Sequence, residues 1–262
     1  MTRVGIIGTG AMGRPVVDRL LAAGHEVAAV VRRPEVRDEL TAAGVEVVAS
    51  PAELGRGRDV VLVYVYSDEQ AREVTLDSGL LESLEPGALV VVHTTGSPRT
   101  VEDIAARGVA VVDAAASGGP ASIAAGTLTV FLGGTAEDVE RFRPVVEAYA
   151  SHVEHVGPLG SGQRVKLLNN LLFGAHVQLA VEAARVAESF GLDVAQVART
   201  LHTCSGQSYA LDLVAASGSA AALVQGAGPY IRKDVLVARQ VAADLGVSLG
   251  TMDAATRPLT EL

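Results

Sequence analysis

Short apolar segments alternate with amphipathic segments through the first half of the chain. The apolar segments are rich in β-branched residues, as strands are, and they fall at Arg3–Ile7, Glu26–Val31, Asp59–Tyr64, Ala88–His93, Val109–Asp113, Leu128–Leu132 and His152–Val156. Several are apolar at successive positions, which is typical of parallel strands covered on both faces. The pattern therefore predicts a doubly wound α/β sheet with helices between the strands.

No strand pattern follows the glycine-rich segment Gly157–Gly162. From Gln163 to Phe190 apolar residues recur at helical spacing without proline, which predicts one helix of about 28 residues. The remaining Ala- and Leu-rich sequence predicts further helices, with breaks at Ser205-Gly206 and Gly226–Pro229. We therefore expect an α/β domain over residues 1–160 and an all-helical domain over residues 161–262 that begins with a long interdomain helix.

A glycine motif joins the first predicted strand to a segment of helical periodicity, Arg14–Ala23. Its sequence is Gly8-Thr9-Gly10-Ala11-Met12-Gly13, or G-x-G-x-x-G. In this context the first glycine permits a tight turn, the second lets backbone approach a pyrophosphate, and the third allows close packing. A purely structural turn is the alternative. The strand and helix on either side favour a dinucleotide site on a Rossmann-type domain, at Gly8, Gly10, Ala11, Met12 and Gly13.

Two arginines, Arg32 and Arg33, stand where the second strand should end beside the adenosine ribose. An acidic residue there would accept the ribose 2′-hydroxyl of NAD, whereas guanidinium groups pair with a 2′-phosphate. The sequence therefore predicts NADP(H) as the cofactor. The alternative is a pair of solvated arginines ahead of a helix that starts at Pro34-Glu35.

Composition and charge exclude several classes of partner. The chain carries a net charge of −9 and has four Phe, five Tyr and no Trp, which disfavours nucleic acid and anionic membranes. The longest apolar run, Val60–Tyr66, is far shorter than the ~18 residues of a membrane span. The single cysteine, Cys204, predicts no disulfide and no cysteine zinc site, and we expect it to be a small buried residue. These features favour a cytoplasmic protein without a metal site.

Lysine is rare in the chain, since only Lys166 and Lys233 occur among 21 basic residues. Lys166 and Asn170 are four residues apart and share one face of the long predicted helix. Burial on the inner face would lower the pKa of the lysine toward the range that suits proton transfer. A snorkelling surface lysine is the alternative.

A further glycine pair follows the strand Val109–Asp113. Ala114–Ala116 leads there into Ser117-Gly118-Gly119, which we interpret as a loop whose adjacent glycines leave backbone N–H groups open to an anion such as a carboxylate. On its own this segment indicates only a loop.

Four segments together give the chain a resemblance to the β-hydroxyacid dehydrogenases, the family typified by 3-hydroxyisobutyrate dehydrogenase. They are Gly8–Gly13, Ser117-Gly118-Gly119, the pattern Gly160-x-Gly162-x-x-x-Lys166-x-x-x-Asn170, and Lys233-Asp234. The resemblance covers nearly the whole chain. It implies an oxidoreductase that forms a homodimer through its helical domain.

The resemblance also implies a role for each matching residue. Lys166 would be the catalytic acid/base, Ser117, Gly118 and Gly119 would hold the substrate carboxylate, and Asn170 would position the substrate. Thr95 would lie near the nicotinamide, Val65 and Tyr66 would line the dinucleotide, Arg32 would select NADP, and Lys233 would reach the cofactor or the substrate.

The expected activity is hydride transfer between NADP(H) and a small β-hydroxy acid or the corresponding oxo acid. An imine reductase of the same fold is one alternative, although such enzymes usually carry Asp or Tyr at the position of Lys166. A non-catalytic NADP-binding scaffold protein is another, and it would have no need of the Lys166 and Asn170 pair.

Overall fold

A computed structural model describes residues 1–261. The chain divides into two compact units, one from Met1 to Lys166 and one from Leu167 onward. The helix Ser161–Ser189 begins in the first unit and continues into the second. The predicted domain boundary, between residues 160 and 161, falls at the start of this helix, whereas the units separate within it.

The first unit contains one eight-stranded sheet in the order β3-β2-β1-β4-β5-β6-β7-β8. The strands are β1 (Arg3–Ile7), β2 (Glu26–Val30), β3 (Glu46–Val48), β4 (Val60–Val63), β5 (Leu89–Val92), β6 (Ala110–Ser117), β7 (Leu128–Gly133) and β8 (Ala150–Gly157). Neighbouring strands are parallel except for β6 and β7, which are antiparallel.

Helices cover both faces of the sheet, as the apolar strands predict. In β4, Val60 and Leu62 belong to one buried cluster and Val61 and Val63 to another, because successive side chains point to opposite faces. The helices of this unit are α1 (Gly13–Ala22), α2 (Pro34–Ala42), α3 (Pro51–Leu54), α4 (Asp68–Leu76), α5 (Leu80–Ser83), α6 (Pro98–Ala105), α7 (Pro120–Ala124) and α8 (Ala136–Val146).

The structure corrects two expectations about the sheet. The short edge strand β3 was not predicted, because three residues give too little pattern to recognise. The predicted loop at Ala114–Ser117 is instead the second half of β6, where Ala114 pairs with Leu132 and Ser117 with Thr129. Alanine has a low intrinsic preference for strands, but pairing with β7 and burial of Ala114 and Ala115 outweigh it.

The second unit is helical. Helix α9 (Ser161–Ser189) is followed by α10 (Val194–Leu201), α11 (Tyr209–Ser217), α12 (Ala220–Asp244), α13 (Thr251–Thr256) and a 3₁₀ turn (Arg257–Leu259). Its core contains Leu171, Val177, Val214 and Val235. Residues Ser205-Gly206 lie between α10 and α11, where a break was expected.

Two expectations in this unit are wrong. Helix α12 passes through Gly226–Pro229 without a break, because Leu223 and Ile231 on either side are buried in the same core and packing outweighs local propensity. Cys204 is exposed rather than buried, because it lies in the turn between α10 and α11, outside the packed helix faces.

Among residues 1–261, no helix combines the length and the apolar character needed to cross a membrane. The same part of the chain contains no group of three His, Cys, Asp or Glu side chains arranged to hold a metal ion.

Candidate active site

The carboxyl ends of four parallel strands lie at one edge of the sheet. Ile7 of β1 is aligned with Val30 of β2 and with Val63 of β4, which in turn is aligned with Val92 of β5. The residues that follow these strands include Gly8, Arg32, Arg33, Val65, Tyr66 and Thr95. The structure therefore brings all but one of the predicted cofactor-binding positions to a single edge, where open α/β sheets bind ligands. The exception, Lys233, is in α12.

The three motif glycines occupy different environments. Gly8 has φ +103°, and a Cβ on it would collide with the backbone of Tyr64. A Cβ on Gly13, the first residue of α1, would collide with the carbonyl of Gly8. Around Gly10, by contrast, no atom lies within 4 Å of the Cβ position, and Ala11 beside it is exposed while Met12 is half-buried. Gly8 and Gly13 thus serve the turn, and Gly10 leaves open space beside the backbone.

These features fit a dinucleotide pyrophosphate. The first turn of α1 contains no acidic residue, so its backbone N–H groups face no competing carboxylate from that turn. The open side of Gly10 would let phosphate oxygens approach the backbone closely. The guanidinium groups of Arg32 and Arg33 are exposed just beyond β2, the neighbour of β1.

The segments after β4 and β5 are joined to each other. The hydroxyl of Thr94 donates to the carbonyl of Val65 at 2.9 Å. The backbone N–H of Tyr66 donates to Oε1 of Gln70 at 3.0 Å, and the Tyr66 side chain is exposed. Thr95, next to Thr94, is half-buried. The predicted nicotinamide and dinucleotide contacts thus belong to two connected loops.

Ser117, Gly118 and Gly119 lie where β6 ends and α7 begins. Gly118 has φ +129°, and a Cβ there would lie 2.9 Å from the side chain of Leu128. No atom lies within 4 Å of the Cβ position of Gly119. The turn therefore requires Gly118, while no atom crowds the Cβ side of Gly119, whose N–H donates a long hydrogen bond to the Ser122 hydroxyl at 3.5 Å.

Lys166 is half-buried in the second turn of α9, and the start of that helix is fixed by a buried carboxylate. Asp113 of β6 accepts hydrogen bonds from the backbone N–H groups of Gly160 at 2.6 Å and Gln163 at 2.7 Å. Burial raises the pKa of the Asp113 carboxyl, and these two hydrogen bonds oppose the rise. Asp113 thus satisfies N–H groups that have no partner within a helix.

Gln163 connects the same helix start to the loop after β5. Its Nε2 donates to the carbonyl of Thr94 at 2.8 Å, and its Oε1 accepts from the N–H of Gly96 at 3.0 Å. The residue is 1% exposed. Lys166 and Thr95 are therefore carried by two segments that a buried amide joins.

The second unit places the remaining predicted residues around one acidic side chain. Asp234 is 5% exposed, and its two oxygens accept from different residues, Nδ2 of Asn170 and Nζ of Lys233, the latter at 2.6 Å. Nδ2 of Asn169 donates to Oδ1 of Asn170 at 2.9 Å. Asn170 and Lys233, which are 63 positions apart in the chain, thus share a carboxylate.

Sequence analysis assigned no role to Asp113, Gln163 or Asp234. A signal existed for Asp113, because it is a charged residue within an otherwise apolar strand and such residues are buried only with partners. Asp234 gave no such signal, since it directly follows Arg232 and Lys233. Gln163 gave no comparable signal, since its partners Thr94 and Gly96 are 69 and 67 positions away.

A buried aromatic cluster lies next to this edge of the sheet. The His93 ring stacks on Tyr64 with 4.1 Å between ring centroids, and its Nε2 lies 2.9 Å from the hydroxyl of Tyr149. Burial of the ring lowers the pKa of His93 to about 3. His93 is therefore neutral at ordinary pH.

Comparison with known proteins matches both parts of the chain. The family model for the NAD binding domain of 6-phosphogluconate dehydrogenase matches residues 3–157, and the model for the NAD-binding region of NADP-dependent 3-hydroxyisobutyrate dehydrogenase matches residues 160–261. The NAD-dependent L-serine dehydrogenase of Pseudomonas aeruginosa is 35% identical over 218 residues, which is 81% of this chain and 73% of that protein.

Solved structures agree with these matches. Mycobacterium tuberculosis 3-hydroxyisobutyrate dehydrogenase with L-serine superposes with a TM-score of 0.88 at 26% identity, covering 100% of this chain and 93% of that one. Psf3 in complex with NADP+ and 2-OPP gives a TM-score of 0.84 at 29% identity, covering 98% and 93%. Taken with the glycine turn, the Lys166 helix and the Asp234 cluster, these matches show that the chain belongs to the β-hydroxyacid dehydrogenase family of NAD(P)-dependent oxidoreductases.

Proposed function

We propose that this protein transfers a hydride between NADP(H) and a small β-hydroxy acid or the corresponding oxo acid, with Lys166 as general acid/base. One observation carries the proposal. The helix start that bears Lys166 is tied by buried hydrogen bonds of Gln163 to the loop after β5, at the sheet edge that also carries the glycine turn. A proton-transferring side chain and a dinucleotide turn thus belong to one connected framework.

Each site residue has a proposed part in the reaction. When bound, NADP(H) supplies the hydride acceptor or donor. In oxidation, neutral Lys166 accepts the hydroxyl proton at Nζ as the carbonyl forms, and in reduction its ammonium returns that proton. Backbone N–H groups of the Ser117-Gly118-Gly119 segment hold the substrate carboxylate. Asn170 orients the substrate, and such orientation contributes several kcal/mol, on the order of 7 or more in favourable cases.

NADP(H), rather than NAD(H), is proposed from the exposed pair Arg32 and Arg33. Guanidinium groups bind a 2′-phosphate through charge-assisted hydrogen bonds, and the residues directly after β2 include no carboxylate before Glu35. The relative from Pseudomonas aeruginosa is NAD-dependent, so membership of the family does not decide between NAD and NADP. The proposal of NADP(H) therefore rests on this chain's own arginines. The Lys233 ammonium is proposed to contact the cofactor or the substrate.

A homodimer is proposed on the exposed apolar side chains of the second unit. Leu172, Leu179 and Phe190 of this unit are exposed to 49, 63 and 75%. Apolar exposure of this kind marks interaction surfaces, and most oligomers of a single chain are symmetric dimers. A strict monomer in a size measurement would contradict this part of the proposal.

The activity is tested by following NADPH and NADH consumption with a panel of short oxo acids and cyclic imines. Turnover of an oxo acid with NADPH is the expected result. Turnover of imines alone would favour the imine reductase alternative, and NADPH binding without any turnover would favour a non-catalytic scaffold protein.

The role of Lys166 is tested with Lys166→Ala and Lys166→Arg on one reactive acid. The alanine variant should lose turnover by on the order of 10²–10⁴-fold, as expected when a general acid/base is removed, while its NADPH affinity measured by fluorescence changes little. Arginine should not restore turnover, because its pKa is too high to release a proton near neutrality. Near-normal turnover in Lys166→Arg would mean that charge, rather than proton exchange, is what the site requires.

A further inference from the structure

We infer that Gln163 is a positioning residue whose buried side chain sets the loop containing Thr95 against the helix start that bears Lys166. The inference rests on the proposed function, since it assigns to Gln163 the geometry in which that reaction occurs. The residue is not part of the proposed contacts to cofactor or substrate.

The Gln163 amide joins both peptide groups that flank Thr95. It donates to the carbonyl of Thr94 at 2.8 Å and accepts from the N–H of Gly96 at 3.0 Å. This pairing needs one donor and one acceptor on the same planar group, which an amide supplies and a carboxylate does not. The backbone around Thr95 is therefore fixed in orientation as well as in position.

The main chain of Gln163 is fixed from the other side. Its N–H donates to Asp113 at 2.7 Å, and the N–H of Gly160 donates to the second oxygen of the same carboxylate at 2.6 Å. There is little room for rearrangement, since a Cβ on Gly162 would lie 2.8 Å from Asp113 and closer still to the carbonyl of Phe131. The first turn of α9 is thus held to β6 while its glutamine reaches the loop after β5.

The two hydrogen bonds of the Gln163 amide, to Thr94 and to Gly96, form a joint between the loop after β5 and the start of α9. Lys166 is three positions beyond Gln163 in the same helix, so a shift at this joint changes the placement of Lys166 relative to Thr95. Misplacement by about 1 Å can cost on the order of 10²-fold in rate. The loop also has supports of its own, because the Thr94 hydroxyl bonds to Val65 and the Ser97 N–H donates to Asp68 at 3.1 Å. Loss of the Gln163 amide should therefore alter the loop position without unfolding it.

The test compares Gln163→Met, which keeps the length of the side chain and removes both hydrogen bonds, with Gln178→Met as a matched control. Gln178 is half-buried in the same helix and has no part in the joint. For Gln163→Met, kcat should fall by on the order of 10–10²-fold, while KM for the acid and the NADPH Kd change by less than about threefold. Gln178→Met should match the wild type in all three quantities.

A second measurement uses the protein without cofactor. Amide hydrogen exchange at Gly96 should accelerate by on the order of tenfold in Gln163→Met, because its N–H loses a buried acceptor. A second variant, Gln163→Glu, is assayed above the pKa of the new side chain, because a protonated carboxyl would supply the same donor and acceptor as the amide. Once ionised, it keeps an acceptor for Gly96 but turns a carboxylate oxygen toward the Thr94 carbonyl. Its kcat should therefore also fall, while its Gly96 exchange stays closer to that of the wild type.

The outcomes separate this inference from the proposed function. If the wild type turns over an oxo acid but Gln163→Met and Gln163→Glu keep its kcat, the positioning role is wrong and the function stands. If the wild type shows no turnover, the proposed function fails, and unchanged Gly96 exchange in Gln163→Met would overturn the joint as well. A loss of kcat accompanied by equal losses of NADPH affinity and thermal stability would show general destabilisation, which also contradicts the inference.

Discussion

At the scale of single residues, the glycine turn and the two arginines after β2 define the edge at which the dinucleotide is proposed to bind. Gly8 and Gly13 are required by the backbone around them, which explains why that part of the motif was informative from the sequence. Arg32 and Arg33 are exposed, so their proposed role depends on charge rather than on packing.

Arg32→Asp should weaken NADPH binding relative to NADH. The new carboxylate would repel the 2′-phosphate and could accept the 2′-hydroxyl of NADH instead. The measurement is the ratio of the kcat/KM values for the two cofactors. Arg56→Asp is a suitable control, because it makes the same change in net charge at an exposed position ahead of β4, away from the carboxyl edge. An unchanged ratio in Arg32→Asp would contradict the role of this arginine.

His93 should make the protein less stable as the pH falls. In the unfolded chain its pKa is near 6.5, and in the folded chain burial lowers it to about 3. Between these values the unfolded state binds more protons, so the free energy of unfolding decreases with falling pH by up to about 1.4 kcal/mol per pH unit. The raised pKa of Asp113 acts in the opposite direction, because the folded state then holds the extra proton.

Replacing His93 separates its contribution to the pH dependence of stability from that of Asp113. His93→Phe keeps a ring next to Tyr64 and removes the titrating group, so its free energy of unfolding, measured in urea from pH 7 to pH 5, should fall less steeply than that of the wild type. His152→Gln, at an exposed position on β8, should keep the wild-type slope. Equal slopes for His93→Phe and the wild type would show that protonation of His93 does not drive the acid sensitivity.

At the scale of elements, continuous apolar runs made the strands predictable, and the structure confirms β1 with identical bounds. Prediction failed where local preference and packing disagree. The alanines of β6 and the Gly226–Pro229 segment of α12 both contradict their local preference, and only the partners supplied by folding, β7 and the helical core, explain their conformation.

The residues of the candidate site divide in the same way, into those that local sequence predicts and those that depend on partners distant in the chain. The glycine turn, the arginines and the lysine were recognisable because each is defined by neighbours in the sequence. The contacts of Asp113 with Gln163 join residues that are 50 positions apart, and nothing local to either residue predicts that pairing. Side chains that hold a site together are therefore harder to predict than those proposed to bind ligands.

Pro229→Ala should stabilise the second unit. Pro229 is exposed in the interior of α12, so its side chain contributes little packing, while its missing N–H and its ring disturb the helix. Replacement should raise the free energy of unfolding by about 2 kcal/mol. The helix gains stability when the proline is removed, and part of that gain is offset because the unfolded chain becomes less rigid without it. Urea denaturation measures the change. Pro34→Ala, at the first position of α2, should have little effect or a slightly destabilising one, since proline is well accepted there. A lower free energy of unfolding in Pro229→Ala would mean that the proline stabilises the helix and would contradict this prediction.

At the scale of the whole molecule, the sheet has two edge strands, which are distinct from the carboxyl edge described above and differ from each other in kind. One edge is β3, which is only three residues long. The other is β8, whose eight residues include exposed His152, Glu154 and His155. Natural sheets limit strand addition in these two ways, by shortening an edge strand or by placing charged and polar side chains along it.

These edges bear on how copies of the chain can associate. Strand addition that repeats head to tail from one molecule to the next has no built-in end point and leads to fibres, whereas two-fold pairing of one edge strand with its copy stops at a dimer. A short edge at β3 and a polar edge at β8 both oppose such growth, even though the sheet between them is strongly apolar. The fully buried strands β4 and β5 thus lie in the interior of the sheet, and the two strands at its edges are the least suited to continue it into another molecule.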